Sequence, residues 1–110
     1  MTDGRAVYRI QYPLMGRPQL RLPERVLQVL DASEFGLRVE LGAPPFDIAP
    51  GATLEGKLRL AQGVECSIRG SCVRVGEDDF AIVFAVDARL RLPVIFEEQR
   101  FLRAKFPDWA

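Results

Sequence analysis

Arginine is the residue through which this chain could do chemistry. The sequence of 110 residues carries 15 basic and 15 acidic residues and no histidine, and thirteen of the basic residues are arginine. A guanidinium group is a planar fork that pairs with phosphate or with a guanine edge and stacks on rings, which lysine cannot do. Because the net charge is zero, an anion has to be bound locally rather than attracted by an overall field.

Two short motifs could form such a local site. The segment RAVYR places Arg5 and Arg9 four positions apart, and the segment DASEFG places Asp31, Ser33 and Gly36 in a predicted turn between two strands. Asp and Ser commonly bond to nearby backbone in turns, and Gly permits positive φ where strands reverse. The second motif alone therefore has a purely structural explanation, and the two motifs indicate a site only together.

The RxxxR spacing recurs over residues 17–21 and 21–25, so the first copy has to be chosen by its position. Pro18 and Pro23 interrupt the two later copies, which lie where a first strand is predicted. The copy at 5–9 lies in a segment without hydrophobic period. We therefore prefer Arg5 and Arg9.

Signatures of catalysis are missing from the sequence. There is no histidine for general base work, no GxSxG elbow, no GxxxxGK[ST] phosphate loop and no cysteine spacing typical of a metal site. The acid pairs at 78–79 and 97–98 are interpreted as solvated surface, one in a hairpin turn and one on the wet face of a helix. Cys66 and Cys72 are expected to be reduced, packed thiols. We expect no enzyme, no metal and no cofactor.

Alternating apolar residues predict that strands position these motifs. The alternation runs through VLQVL, GLRVEL, TLEGKLRL, VECSIRGSCVRV and FAIVFAV. A change of parity in the fourth run predicts a bulge or bend near Gly70. The segment PVIFEEQRFLRAKF has the spacing of an amphipathic helix with proline at its first position. The pattern indicates an all-β antiparallel barrel with a C-terminal helix packed against it.

The length predicts a single domain over residues 1–110. We divide it into a flexible arm at 1–12, a β-barrel at 13–87 and a C-terminal helix at 93–106. No apolar run is long enough for a membrane helix, and the N-terminus lacks the build of a signal peptide. A cytoplasmic protein without membrane insertion is expected.

Taken together and in order, the motifs resemble those of the PilZ family, which is marked by RxxxR followed by [D/N]xSxxG. Arg5 and Arg9 match the first motif, and Asp31, Ser33 and Gly36 match the second. The segments RIQYP, PGATLEGKLRL, GSCVRV and FAIVF and the closing helix also follow in the family's order. The resemblance implies a small six-stranded antiparallel split β-barrel with an N-terminal extended arm and a C-terminal α-helix.

The same resemblance implies cyclic di-GMP as the ligand. Arg5 and Arg9 would share contacts to guanine and phosphate, Asp31 would accept from the donor side of a guanine, and Ser33 would add a hydroxyl contact. Gly36 would let backbone and ligand approach closely. We expect the ligand to order the arm, a disorder-to-order switch of residues 1–12.

Several further expectations follow from the family. The chain is expected to be a bacterial adaptor, monomeric or weakly dimeric, that relays the second messenger to an unidentified effector protein in processes such as motility and biofilm formation. Gly4 stands where many members carry an additional arginine, which leaves open whether one ligand or an intercalated pair binds. Arg74 is interpreted as an exposed strand residue outside the site.

Two alternatives remain open. One is a PilZ-fold protein-interaction module that has lost its ligand. The other is a small barrel that binds single-stranded nucleic acid, which the zero net charge and the placement of Phe at predicted core positions disfavour. Long nucleic acid is not an expected partner.

Overall fold

The computed structural model describes residues 8–109 of the chain. Seven strands and one helix follow each other in these residues: β1 (Ile10–Gln11), β2 (Gln19–Arg21), β3 (Val26–Ala32), β4 (Gly36–Glu40), β5 (Thr53–Arg59), β6 (Glu65–Val75), β7 (Asp79–Phe84) and α1 (Leu92–Lys105). Short 3₁₀ turns lie over Leu14–Gly16 and Val86–Ala88. Within residues 8–109 no helix is long and apolar enough to cross a membrane.

Six of the strands close into an antiparallel barrel in the order β3, β2, β5, β6, β7, β4, with β4 pairing back to β3. This confirms the predicted all-β, six-stranded barrel with a C-terminal helix. Strand β1 is an addition that pairs with the end of β3, with Ile10 opposite Ala32 and Gln11 opposite Asp31. Two strand residues are too few to show an alternating pattern in the sequence.

Alternating burial follows the predicted hydrophobic period. Leu37 and Val39 of β4 face the core, as do Phe80, Ile82 and Phe84 of β7. Their neighbours along each strand point to the outer face, since successive side chains of a strand lie on opposite sides. The apolar interior thus fixes which side chains the barrel presents outside.

Two bulges adjust this alternation. In β6 the register against β7 shifts between Cys72 and Arg74, so the extra residue is the exposed Val73. The bulge predicted near Gly70 therefore lies at Val73. In β3 the register against β4 shifts between Val29 and Asp31. That second bulge places Asp31 directly opposite Arg38.

Helix α1 packs on the barrel through a buried carboxylate as well as apolar residues. Glu98 is fully buried, and it accepts hydrogen bonds from the Tyr12 hydroxyl at 2.8 Å and from the backbone N–H groups of Ala61 and Gln62 at 2.8 and 3.0 Å. The prediction that Glu98 lies on the wet face of the helix is wrong, because its spacing from Ile95 places it on the core side. Burial and the adjacent Glu98 raise the pKa of Tyr12.

The end of the predicted arm is attached to the C-terminal part of the chain. The Tyr8 ring meets the Phe96 ring edge-on, with centroids 5.2 Å apart. The Trp109 Nε1–H donates to the Gln11 carbonyl at 2.6 Å. Tyr12, which follows, is buried. From about its tenth residue onward the predicted arm is therefore packed on the barrel.

Candidate ligand-binding site

The buried carboxylate of Asp31 lies at the centre of the candidate site. Its side chain is only 4% exposed, and each of its oxygens accepts a hydrogen bond from a different arginine. Arg9 Nη1 donates to Oδ1 at 2.8 Å, and Arg38 Nε donates to Oδ2 at 2.7 Å. Such charge-assisted bonds satisfy a carboxylate that burial would otherwise penalise. The structure thus brings one residue of each motif together.

Alternating charges continue from this point across the outer face of the barrel. Arg38 Nη1 donates to Asp79 Oδ2 at 2.7 Å, and Arg74 Nη1 lies 3.6 Å from Asp79 Oδ1. Arg9, Asp31, Arg38, Asp79 and Arg74 therefore form one charged row. Hydrogen bonds to Asp31 first and to Asp79 second raise the pKa of Arg38.

Two members of the charged row differ from the sequence interpretation. Asp79 was expected to be solvated in a turn, which is wrong: it is the first residue of β7, is mostly buried and is bonded to Arg38. Arg38 was not selected from the sequence. Its outward position on the strand that follows DASEFG is the one signal for it, and that signal does not identify its partner.

The DASEFG segment forms the predicted turn. The Ser33 N–H donates to the Gly36 carbonyl at 2.9 Å, and the Ser33 hydroxyl accepts from the Phe35 N–H at 3.2 Å. Ser33 itself is buried. The Arg89 guanidinium lies 4.8 Å from the centroid of the Phe35 ring. The turn is therefore held by its own polar groups and by one cation–π contact.

Gly36 has a different structural reason from the one expected. The described glycines with positive φ are Gly42, Gly51 and Gly63, so Gly36 is not needed for backbone reversal. A Cβ added to Gly36 would instead overlap the backbone carbonyl oxygen of Ile82. Glycine at this position lets β7 approach β4 closely.

The structure describes four of the five residues predicted to bind the ligand. Arg9 is half-exposed beside Asp31, Ser33 lies in the turn that follows β3, and Gly36 is the first residue of β4. Arg5 lies outside the described residues. Arg74, interpreted as an ordinary exposed residue, is the last member of the charged row, 3.6 Å from Asp79.

A cavity of about 790 Å³ lies on the barrel away from the charged row. Its volume is in the range of small-molecule pockets, and it is lined by apolar residues that include Leu22, Phe46, Leu54 and Phe84. Arg69 also lines it, but its guanidinium is bonded to Asp87 at 2.7 Å. None of the five residues of the charged row lines this cavity.

The comparisons with known proteins bear on the fold. No protein-family model matches the sequence, and a search of curated proteins finds no match. Among solved structures, the chain is similar to the PilZ domain of YcgR from Escherichia coli, which was solved with c-di-GMP. That similarity has a TM-score of 0.71 and 18% identity, and it covers 97% of this chain and 100% of that one.

A second similar structure is the uncharacterized Legionella protein Lpg0364. Its TM-score is 0.64 at 17% identity, and the similarity covers 88% of this chain and 98% of the Legionella chain. Both similarities extend over most of this chain. The expectation drawn from the two motifs is confirmed at the level of the fold, and the chain has a PilZ-like fold.

Proposed function

We propose that this chain is a receptor for cyclic di-GMP and an adaptor that passes the signal to a partner protein. The ligand would bind through Arg5, Arg9, Asp31, Ser33 and Gly36. The observation that carries the proposal is the hydrogen bond between Arg9 and Asp31, because it joins the two motifs at one place on a PilZ-like fold. The similarity to a PilZ domain solved with c-di-GMP supports the choice of ligand.

The geometry suggests how the ligand would enter. A guanine offers N–H groups that could donate to Asp31, but both Asp31 oxygens are already bonded to arginine and the side chain is only 4% exposed. One guanidinium therefore has to move. Arg9 is half-exposed and makes one hydrogen bond to the described residues, whereas Arg38 is held by Asp31 and Asp79 together. Arg9 would move to a phosphate or a guanine face, and Arg38 would stay.

The turn would complete the contacts. The Ser33 hydroxyl already accepts a bond from Phe35, so its own hydrogen remains to be donated to the ligand. Gly36 would contribute through its backbone, because the space that a side chain would fill there is taken by the Ile82 carbonyl oxygen.

The ligand-dependent ordering of the arm stays a prediction, and we now expect it for a shorter segment than residues 1–12. Because Ile10 and Tyr12 are buried and Gln11 is bonded to Trp109, we expect ligand-dependent ordering only before Ile10. Tyr8 lies against Phe96 of α1. A movement of the arm would therefore change this contact with the helix.

The proposal assigns no reaction to the chain, in keeping with the receptor character of PilZ domains. One observation favours the alternative of a ligand-free interaction module: each oxygen of the buried Asp31 carboxylate is already bonded to an arginine of the protein itself. In that case the charged row would only join four neighbouring strands.

A ligand comparison by NMR would test the proposal. The isotope-labelled protein is titrated separately with cyclic di-GMP, cyclic di-AMP and GTP. We expect saturable shifts with cyclic di-GMP alone, at Asp31, Ser33, Gly36 and Arg38. No shift at roughly 50 µM cyclic di-GMP would favour the ligand-free module, and equal binding of cyclic di-AMP would contradict recognition of guanine edges.

A further inference from the structure

A second, smaller cavity lies away from the charged row and is lined by cations. It has a volume of about 230 Å³ and lies between the 3₁₀ turn after β1, strands β2 and β5, and the end of α1. Arg17, Arg59 and Lys105 line it, and none of its lining residues is acidic. In a chain with no net charge, this is a local concentration of positive charge.

Apolar side chains project beside these cations. Leu14 and Met15 are 69% and 84% exposed. Their turn is fixed, because the Gly16 N–H donates to the Pro13 carbonyl at 2.9 Å and a Cβ added to Gly16 would lie 2.8 Å from the Phe106 ring. The turn is thus pressed against the end of the helix, and the two side chains are held outward.

Two of the three cations, Arg59 and Lys105, are available to an external anion. Among the described residues no carboxylate lies within 4 Å of Arg59 or Lys105. Glu65, which is opposite Arg59 in the β5–β6 pairing, is bonded instead to Arg21 at 3.3 Å. Arg17 makes only longer contacts, to Gln28 at 3.3 Å and Glu40 at 3.6 Å.

We propose that this face, named here the Met15 surface and made of Leu14, Met15, Arg17, Arg59 and Lys105, docks an acidic segment of a partner protein. One large apolar side chain of the partner would enter the cavity beside Met15, and carboxylates on either side would pair with the cations. Arginine suits this role because its fork binds a carboxylate at two points.

Size and charge favour this occupant over others. A volume of 230 Å³ is below the roughly 300–1,000 Å³ of small-molecule pockets and suits a single side chain. An anionic membrane attracts each surface cation by only about 1 kcal/mol, and lipid-reading clusters usually hold about four to eight cations. The three cations here fall short of that number.

The Met15 surface could bind the partner protein of the proposed function. Binding of an acidic segment to this surface does not, however, require cyclic di-GMP. Selection of peptides from a random display library on the full chain, without cyclic di-GMP, would test it. We expect enriched peptides that combine acidic residues with a large apolar residue. Met15→Asp and Arg59→Glu should each weaken their binding at least tenfold, whereas Val86→Asp and Arg91→Glu, which change exposed residues elsewhere, should not.

Three outcomes would overturn the proposal. The first is a failed selection: either no peptide is enriched, or the enriched peptides lack acidic residues. Enriched peptides that bind the Met15 and Arg59 variants as tightly as the wild type count as the same failure. The second is binding to phosphatidylserine vesicles that Met15→Asp abolishes. The third is self-association that Met15→Asp abolishes, which would assign the surface to a second copy of this chain. Because no cyclic di-GMP is present, none of these outcomes bears on the receptor proposal.

Discussion

Arg9 Nη1 and Asp31 Oδ1 are joined by a hydrogen bond of 2.8 Å, although the two residues are 22 positions apart in the sequence. The other oxygen of Asp31 accepts a hydrogen bond from Arg38 Nε at 2.7 Å. The buried carboxylate that we propose to recognise guanine is therefore bonded to an arginine through each of its oxygens. In the proposed binding mode the ligand would compete with Arg9 for Asp31, and Arg38 would keep the carboxylate in position during that exchange.

Arg38→Gln should weaken cyclic di-GMP binding by about tenfold or more, although Arg38 belongs to neither motif. A charge-assisted hydrogen bond contributes about 1.5–3 kcal/mol, and without it Asp31 loses the guanidinium that orients it. Calorimetry measures the change in Kd. Arg69→Gln is the control, since Arg69 is also an outward-facing strand arginine that is bonded to a carboxylate, that of Asp87. Equal affinity of the Arg38 variant and the wild type would remove Arg38 from the site.

Gly36→Ala should destabilise the barrel by about 1–3 kcal/mol, as expected for overpacking, because the new methyl group meets the Ile82 carbonyl oxygen. Urea unfolding measures the loss, and amide exchange should rise in β4 and β7. Gly63→Ala changes a glycine with positive φ and open space around it. It should cost stability through backbone strain and leave exchange in β4 and β7 unchanged; a similar rise in both variants would contradict the steric explanation.

Glu98→Gln should lower the free energy of unfolding by about 1–3 kcal/mol. The buried Glu98 oxygens accept hydrogen bonds from three donors, and an amide nitrogen in place of one oxygen would itself be a donor facing them. The neighbouring Glu97→Gln should change stability by less than about 0.5 kcal/mol, since Glu97 is exposed and is bonded to Arg100, which is also exposed. Chemical unfolding of both variants makes the comparison. Equal effects at the two positions would mean that Glu98 does not hold the helix to the barrel.

The raised pKa of Tyr12 predicts a loss of stability in alkali. Burial, and then Glu98, raise this pKa in the folded state, so the folded protein keeps a proton that the unfolded chain releases near its ordinary pKa of about 10. The resulting stability is complete below that pH and decreases above it. Tyr12→Phe should be less stable than the wild type at about pH 8, and urea unfolding at about pH 11 should show a smaller difference. A difference that does not change with pH would be inconsistent with a buried, protonated Tyr12.

The hydrophobic alternation was sufficient to predict the barrel and the helix, because one face of each strand has to be apolar. It was not sufficient for Arg38. In the regular register set by Val29 opposite Val39, Asp31 would face Leu37, and only the bulge at Leu30 brings Arg38 opposite Asp31. Such a bulge depends on how strands β3 and β4 pair, which the pattern of a single strand does not contain.

Glu98 shows a second limit of the pattern. A glutamate in an amphipathic helix is normally placed on the wet face, and the three donors that satisfy Glu98 come from Tyr12 and from the turn between β5 and β6. These segments are distant from the helix in the sequence. Burial of a charged residue is decided by partners of this kind, so it follows from the assembled fold rather than from the helix itself.

The most direct test of the receptor proposal is calorimetric titration of cyclic di-GMP into the wild type and into Asp31→Ala, Arg9→Ala and Arg21→Ala. Arg21 belongs to both later RxxxR copies and lies on β2, bonded to Glu65. The proposal predicts binding to the wild type and to Arg21→Ala, with Kd at least about tenfold weaker for Asp31→Ala and Arg9→Ala. No heat of binding with the wild type, or equal affinity in all four proteins, would contradict it.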